Sequence, residues 1–411
     1  MTETAARQVK DPAAAVAFDP SDPSFVRDPY PRYAELREAP VLHPSDEGLW
    51  VLTRYDDVSA VLRDARLSSD PRHAEGPRRE RRAQRMPLGD TPPPVMLFLD
   101  PPDHTRLRRL ANKAFTPRAV EALRPRIVQL VESLLDRVAE RGSMDVMADL
   151  AFPLPVIVIC ELLGVPTEDQ EQFKGWSTDV ARVLDPVPDP AVAERAMPAV
   201  FNFIQYFSGL IEERRAAPRE DLLSALIQAE EDGTQLTTPE LFAMCILLFV
   251  AGHETTTNLI GNGILALLRH RAQLDALRDD PALAVAATEE LLRYDAPVQA
   301  TARTATVDIE VNGLTLRKGE GVVCSLAGAN RDPRAFSDPD HLHLARGRAN
   351  HVAFGSGIHF CLGAPLARVE GQVAFTAVAR RFPRMELQTD DPPYRDHFVL
   401  RGLDALPVSL A

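Results

Sequence analysis

From Pro239 to about His270 the chain is apolar on most sides. At ~1.5 Å per residue this stretch predicts a helix roughly 45 Å long, enough to cross a whole domain. A helix apolar nearly all round belongs in the middle of a large helical protein. Thr238 is placed to cap it, and Pro239 suits the first helical position. Its most apolar part, Leu241 to Ala251, is too short to span a bilayer. Gly252, His253, Glu254 and Thr255 then interrupt the apolar surface. A glycine and an ionisable pair cost stability inside a buried helix, so a purely structural reading fits them poorly.

Helical periodicity recurs over Val120 to Val138, Asp221 to Glu230, Pro281 to Tyr294 and Leu366 to Arg381. Strand signals are few. Leu49 to Thr53 is one. Val307 to Val311 alternates, meets Asn312-Gly313 and returns through Leu314 to Leu316, which predicts a hairpin. The fold expected is mainly α with a small β portion. Ser69 to Pro94, with Arg78, Arg79, Arg81, Arg82 and Arg85, reads as a long surface loop.

The chain has 411 residues and is 45% hydrophobic, so it can bury a large core. Residues 1–17 are read as a mobile tail, and 18–411 as a single catalytic domain. The tail has no apolar core that would make it a signal peptide or membrane anchor, so a cytoplasmic location is expected. A net charge of −13 argues against nucleic-acid binding. Cys160, Cys245, Cys324 and Cys361 lie far apart with no Cys-x-x-Cys pair, which speaks against zinc, iron–sulfur and disulfide frameworks.

Cys361 differs from the other three. It follows Phe354-Gly355-Ser356-Gly357-Ile358-His359-Phe360 and precedes Leu362-Gly363 and a helix-like run. Glycines at 355, 357 and 363 let backbone approach a flat ligand closely. The start of a helix helps to hold a thiolate. A lone thiolate with an open opposite face is what a haem iron needs to activate dioxygen. A buried free cysteine is the ordinary alternative and accounts well for the other three.

The pattern Phe354, Gly357, His359, Cys361, Gly363 resembles the haem-binding signature of the cytochrome P-450 family. Ala251-Gly252-His253-Glu254-Thr255-Thr256 resembles that family's oxygen-activation motif, and Glu290-Leu291-Leu292-Arg293 its Glu-x-x-Arg pair. The motifs occur in the family's order, and the likeness runs from about Phe18 onward, suggesting its soluble bacterial branch. It implies the family fold, with a long central helix crossing the haem and a cysteine-ligand loop before a late helix. It implies haem b with an axial cysteine thiolate, Cys361, and cofactor contacts from Phe354, Gly355, His359 and Gly363.

Two buried haem propionates need neutralising. His104 and Arg108 stand four apart on one helical face, and Arg303 and His359 offer further donors. By resemblance all four match propionate-binding positions. Any one of them alone would more often be a solvated charge. Arg106, Arg109 and Lys113 share the first stretch and are read as a basic patch for an acidic, ferredoxin-type redox partner. Cleaving dioxygen consumes protons. Thr255 supplies a hydroxyl to hold oxygen or water, and Glu254 a carboxylate to relay protons, with Gly252 permitting a local opening of the helix. The plain alternative is a threonine bonded back to its own helix beside a salt-bridged glutamate. Glu290 and Arg293 are read as structural. The family adds a third member to that pair, and His341 is the residue expected there.

Val95 to Leu99, Phe173 to Val187, Leu247, Val250, Val298 to Thr301 and Phe398 to Leu400 are expected to line a pocket for a medium or large hydrophobic substrate, such as a polyketide, macrolide, terpenoid or steroid. The arginines between Arg78 and Arg85 could meet a substrate carboxylate or an acidic acyl-carrier protein, though a solvated loop is the simpler reading. The function expected is a monooxygenase fed by a separate ferredoxin system, since no Gly-x-Gly-x-x-Gly reductase motif is present. A peroxygenase or oxidative-coupling enzyme on the same fold, and a haem-based sensor or ligand-binding protein, are the alternatives.

Overall fold

The structure, a computed structural model, describes residues 18–19, 22–38, 49–76, 79–80, 94–166, 169–184, 190–231, 233–311, 314–347 and 350–410. The tail expected over 1–17 and Arg78, Arg81, Arg82 and Arg85 lie outside the described residues.

The architecture is mainly helical with a small β portion. Its axis is the helix Thr238–Arg269. The cap is Thr237 rather than Thr238. The Thr237 hydroxyl accepts from the Glu240 N–H while the Glu240 carboxylate accepts from the Thr237 N–H, a reciprocal capping box. By length and composition this helix could cross a membrane, yet 67% of its apolar window is buried inside the molecule. It packs against helices Pro153–Leu163, Gln170–Ala181, Pro190–Ala216, Ala284–Tyr294 and Ala364–Arg381. Phe249 of the central helix joins Phe173, Phe203 and Trp176 in an aromatic core, with the Phe173 and Phe249 ring centroids 4.7 Å apart.

The helix read over Val120 to Val138 is two, Pro117–Ala122 and Arg124–Ala139, meeting at Leu123. Pro125 explains the break: it lacks the N–H a continuing helix needs and suits the first turn of a new one. Gly252 does not open the central helix, which runs unbroken there. A Cβ on Gly252 would stand 3.0 Å from Cδ1 of Ile159, so its small size serves packing against the neighbouring helix.

A four-stranded sheet orders Leu49–Leu52, Gly321–Ser325, Ala300–Ala305 and Leu67–Ser68, with only the first pairing parallel. The predicted hairpin pairs Ile309–Val311 with Leu314–Leu316, and its Asn312-Gly313 turn lies outside the described residues. Strands Ser143–Asp145, Glu386–Leu387 and Pro407–Ser409 form a second, three-stranded sheet.

Candidate functional site

The Cys361 loop is shaped by close approach. Gly357 has φ +69°, and a Cβ there would meet the Leu62 carbonyl at 2.5 Å, so only glycine lets the loop lie against the end of helix Tyr55–Arg63. The Cys361 N–H donates to the Phe354 carbonyl at 2.9 Å, closing the loop. Gly363 then caps helix Ala364–Arg381. Burial pushes the Cys361 thiol up, against the N–H groups of Gly363 and Ala364 and the charges of Arg108 and Arg368. Those N–H groups at the helix start, with two guanidiniums, are suited to an anionic sulfur once a metal displaces its proton to solvent.

Beside this loop four basic side chains converge from three elements. His104 and Arg108 project from helix Asp103–Ala114, Arg303 from strand Ala300–Ala305, and His359 from the turn Gly357–His359. The His104 and His359 rings are 4.3 Å apart. Burial, reinforced by His104, Arg303 and Arg108, drives His359 down to about 3. Burial and Arg108 lower His104, and burial lowers both Arg108 and Arg303. Both ring nitrogens of His104 and Nε2 of His359 are buried without a hydrogen-bond partner. Among the described residues Arg303 donates only to Thr301 Oγ1, at 3.2 Å, and to the Ala302 carbonyl, at 2.8 Å.

The central-helix residues form a second group. The Thr255 hydroxyl donates to the Ala251 carbonyl at 3.1 Å. Burial works against the charge of Glu254, but His253 and Arg395 more than offset it and hold the carboxyl down at about 2. Arg395 makes the shorter contact, 2.9 Å against 3.7 Å from His253. Arg395 comes from the C-terminal segment, and no motif had pointed to it. Among the described residues no hydrogen bond or ion pair joins Glu254 or Thr255 to the Cys361 loop.

Two expectations are corrected. The third member of the Glu290–Arg293 network is Arg346, whose Nε lies 3.1 Å from both Glu290 oxygens. His341 offers its backbone carbonyl to Arg293 and Arg346, while its exposed ring pairs with Asp338 at 2.7 Å. Five more residues of chain bring an arginine back to the buried acid, where a fork of N–H donors fits a carboxylate better than an imidazole does. Arg106 leaves the proposed basic patch, because it is half-buried and ion-paired with Glu240 of the capping box. Arg109 and Lys113 are exposed, and Lys113 Nζ donates to the Glu230 carbonyl at 2.5 Å.

Of the expected pocket residues, Met96 and Leu400 are buried and Leu97 and Phe98 exposed, with Val298 and Leu247 half-buried. Phe173 belongs to the aromatic core. Phe398 packs against Phe18 and Phe25, with centroids 5.4 and 5.8 Å away. Residues 185–187 lie outside the described residues.

The family model "Cytochrome P450" matches residues 38–406. The vitamin D(3) 25-hydroxylase of Pseudonocardia autotrophica is 44% identical over 94% of this chain and 95% of its own. The polyketide biosynthesis cytochrome P450 PksS of Bacillus subtilis is 40% identical over 96% and 98%. A crystal structure of P450BioI in complex with an acyl carrier protein ligated to hexadec-9Z-enoic acid superposes with a TM-score of 0.87 at 40% identity, covering 94% of this chain and 98% of that one.

That family's cofactor is haem with an axial cysteine thiolate, and the residues present fit it. A thiol sits at the start of a helix beside two guanidiniums and two imidazoles with buried, unpartnered nitrogens, and among the described residues no carboxylate is paired with them, which suits the anionic propionates of haem. The chain belongs to the cytochrome P-450 monooxygenase family.

Proposed function

We propose that this chain inserts one atom of dioxygen, by hydroxylation or epoxidation, into a medium-to-large hydrophobic secondary metabolite. It acts in the cytoplasm as a single catalytic domain over 18–411. Electrons come from a separate ferredoxin and its reductase. Cys361 would ligate the haem iron through its sulfur. His104, Arg108, Arg303 and His359 hold the propionates, and Phe354, Gly355 and Gly363 shape the loop that receives the porphyrin. The observation that carries the reading is the convergence of four basic side chains beside a thiol, where among the described residues the nearby Asp100 carboxylate makes no hydrogen bond or ion pair to any of the four.

When bound, the haem and its thiolate supply the activation of dioxygen. The protein's own part is to position, to exclude water and to deliver protons. Thr255 can turn its hydroxyl from the Ala251 carbonyl toward a water or oxygen atom, since that back-bond is one of the weaker kind. Glu254 is ionised at neutral pH, held so by Arg395, and would therefore take a proton from solvent beside the partly exposed Arg395 before passing it on. Thr178, whose Oγ1 is 3.5 Å from Glu254, is the other polar neighbour on that side.

The substrate class rests on apolar side chains at Met96, Leu247, Val250, Val298 and Leu400, and on relatives named for vitamin D(3) and polyketide biosynthesis. The P450BioI complex supports the further reading that an acyl-carrier protein presents the substrate. A screen of polyketide, macrolide and steroid libraries for substrate-induced displacement of the iron's water ligand tests the class. Binders confined to small polar compounds would refute it. Arg109 and Lys113 remain for redox-partner docking, so Arg109→Glu should slow ferredoxin-driven turnover while substrate binding holds.

A further inference from the structure

We propose that the Glu289–Arg368 ion pair sets the charge felt by the Cys361 sulfur, and with it the ease of reducing the haem iron. The inference rests on Cys361 being the iron's ligand. Glu289 lies on helix Ala284–Tyr294, immediately before the buried Glu290, and Arg368 on the helix that starts after the cysteine loop. The contact is two-pronged: Arg368 Nε is 2.7 Å from Oε1 of Glu289, and the terminal nitrogen 2.9 Å from Oε2. His351 Nε2 lies 3.2 Å from the same Oε2.

The guanidinium so held lies over the Phe354 ring, 4.6 Å from its centroid. Phe354 is itself tied to the ligand, because its carbonyl accepts the Cys361 N–H at 2.9 Å. The pair is thus anchored to the ligand loop through one side chain and one hydrogen bond. Arg368 and Arg108 are the two guanidiniums whose charge favours an anionic Cys361. They differ in one respect. Arg368 is compensated by a carboxylate, and no carboxylate partner is found for Arg108 among the described residues. Burial opposes the Glu289 charge, but His351 and Arg368 more than offset it and hold the carboxyl down at about 2, so the pair stays charged across the neutral range.

A fixed pair beside the ligand acts as an outer-shell control on the metal. Reduction adds one negative charge to the iron centre. Glu289→Gln strips the anion and leaves Arg368 uncompensated, so it favours the reduced state. Arg368→Met leaves Glu289 uncompensated and favours the oxidised state. A structural role would not give opposite signs, since loosening the loop from either side does the same thing to it.

The test is a spectroelectrochemical titration of the ferric–ferrous equilibrium in haem-loaded wild type, Glu289→Gln, Glu289→Asp, Arg368→Met and the double variant. The expected result is an increase in the reduced-to-oxidised ratio of about threefold or more for Glu289→Gln, about 28 mV at 59 mV per tenfold for one electron. A comparable decrease is expected for Arg368→Met. Glu289→Asp, which keeps the charge, and the double variant should stay near wild type. Shifts of the same sign in both single variants, or no shift in Glu289→Gln, would overturn the proposal. If Arg368→Met fails to load haem, the Glu289→Gln and Glu289→Asp comparison decides alone. The reduced carbonyl spectrum separates the two layers: a thiolate band with unmoved potentials removes this inference only, whereas a missing band in wild type removes the assignment of Cys361.

Discussion

Two clusters of buried basic side chains in this molecule are built in opposite ways. Around Arg293, fully buried, every guanidinium nitrogen has an acceptor: the two Glu290 oxygens at 2.8 Å and the carbonyls of Asn330, Pro339 and His341. Arg346 adds a second guanidinium on the same carboxylate. Around His359, by contrast, His104, Arg108 and Arg303 gather with unpartnered ring nitrogens, and among the described residues no acid is ion-paired with them, the Asp100 carboxylate acting only at longer range. Buried charge is ordinarily matched within the protein. The first cluster is complete and serves the fold. Under the proposed function the second is completed by the two haem propionates.

Removing the acid from the closed cluster should have the largest effect. Glu290→Ala leaves Arg293 and Arg346 buried without a counter-charge and should cost about 3–5 kcal/mol in urea unfolding. His341→Ala, whose ring faces solvent, should lie within about 0.5 kcal/mol of wild type. Equal losses in the two variants would erase the reassignment to Arg346.

The open cluster should respond with the opposite sign in apoprotein. Arg108→Gln and Arg303→Gln should each weaken haem retention by about tenfold or more, read by transfer to an excess of acceptor apoprotein. The same variants should leave the apoprotein as stable as wild type or more so, because burial depresses both guanidiniums. Apoprotein destabilised as in Glu290→Ala would mean that the cluster is structural after all.

A third variant leaves both clusters intact. Thr255→Ala should keep haem and substrate binding while NADH is consumed and peroxide appears, with product per NADH down by about tenfold or more. Full coupling would return Thr255 to its back-bond with Ala251 as its only role.

A fourth test concerns a lone buried acid. Glu370 is fully buried, both its carboxylate oxygens lack partners, and burial pushes its carboxyl well above 4.5. It is therefore neutral in the folded protein at a pH where the unfolded chain ionises. Stability is fully present below about pH 4.5 and is lost as pH rises toward the folded value, by at most about 1.4 kcal/mol per pH unit. Glu370→Gln should flatten that slope between pH 5 and 8, measured by urea midpoints. An unchanged slope would show that Glu370 has a partner.

How much of this could be read from the residues depended on distance along the chain. The cysteine loop, the central helix and the Glu290–Arg293 pair are contiguous, so spacing exposed them. Arg346 was missed because its partner lies 56 positions away and the intervening turns set the register. Arg395 meets Glu254 across 141 positions, and no periodicity connects a C-terminal loop to a helix centre. Gly252 was read as an opening, but its reason is Ile159 on another helix, which only packing reveals. Arg106 reads as a surface charge because its acid, Glu240, lies 134 positions away on another helix.

The account depends most on the sulfur at position 361 acting as the iron's ligand. The reduced carbonyl difference spectrum of haem-loaded wild type and Cys361→Ser tests this directly. The account predicts a strongly red-shifted Soret band for wild type and its loss in Cys361→Ser. A Cys361→Ser protein that keeps the thiolate band, or a wild type that never shows it, would contradict the account.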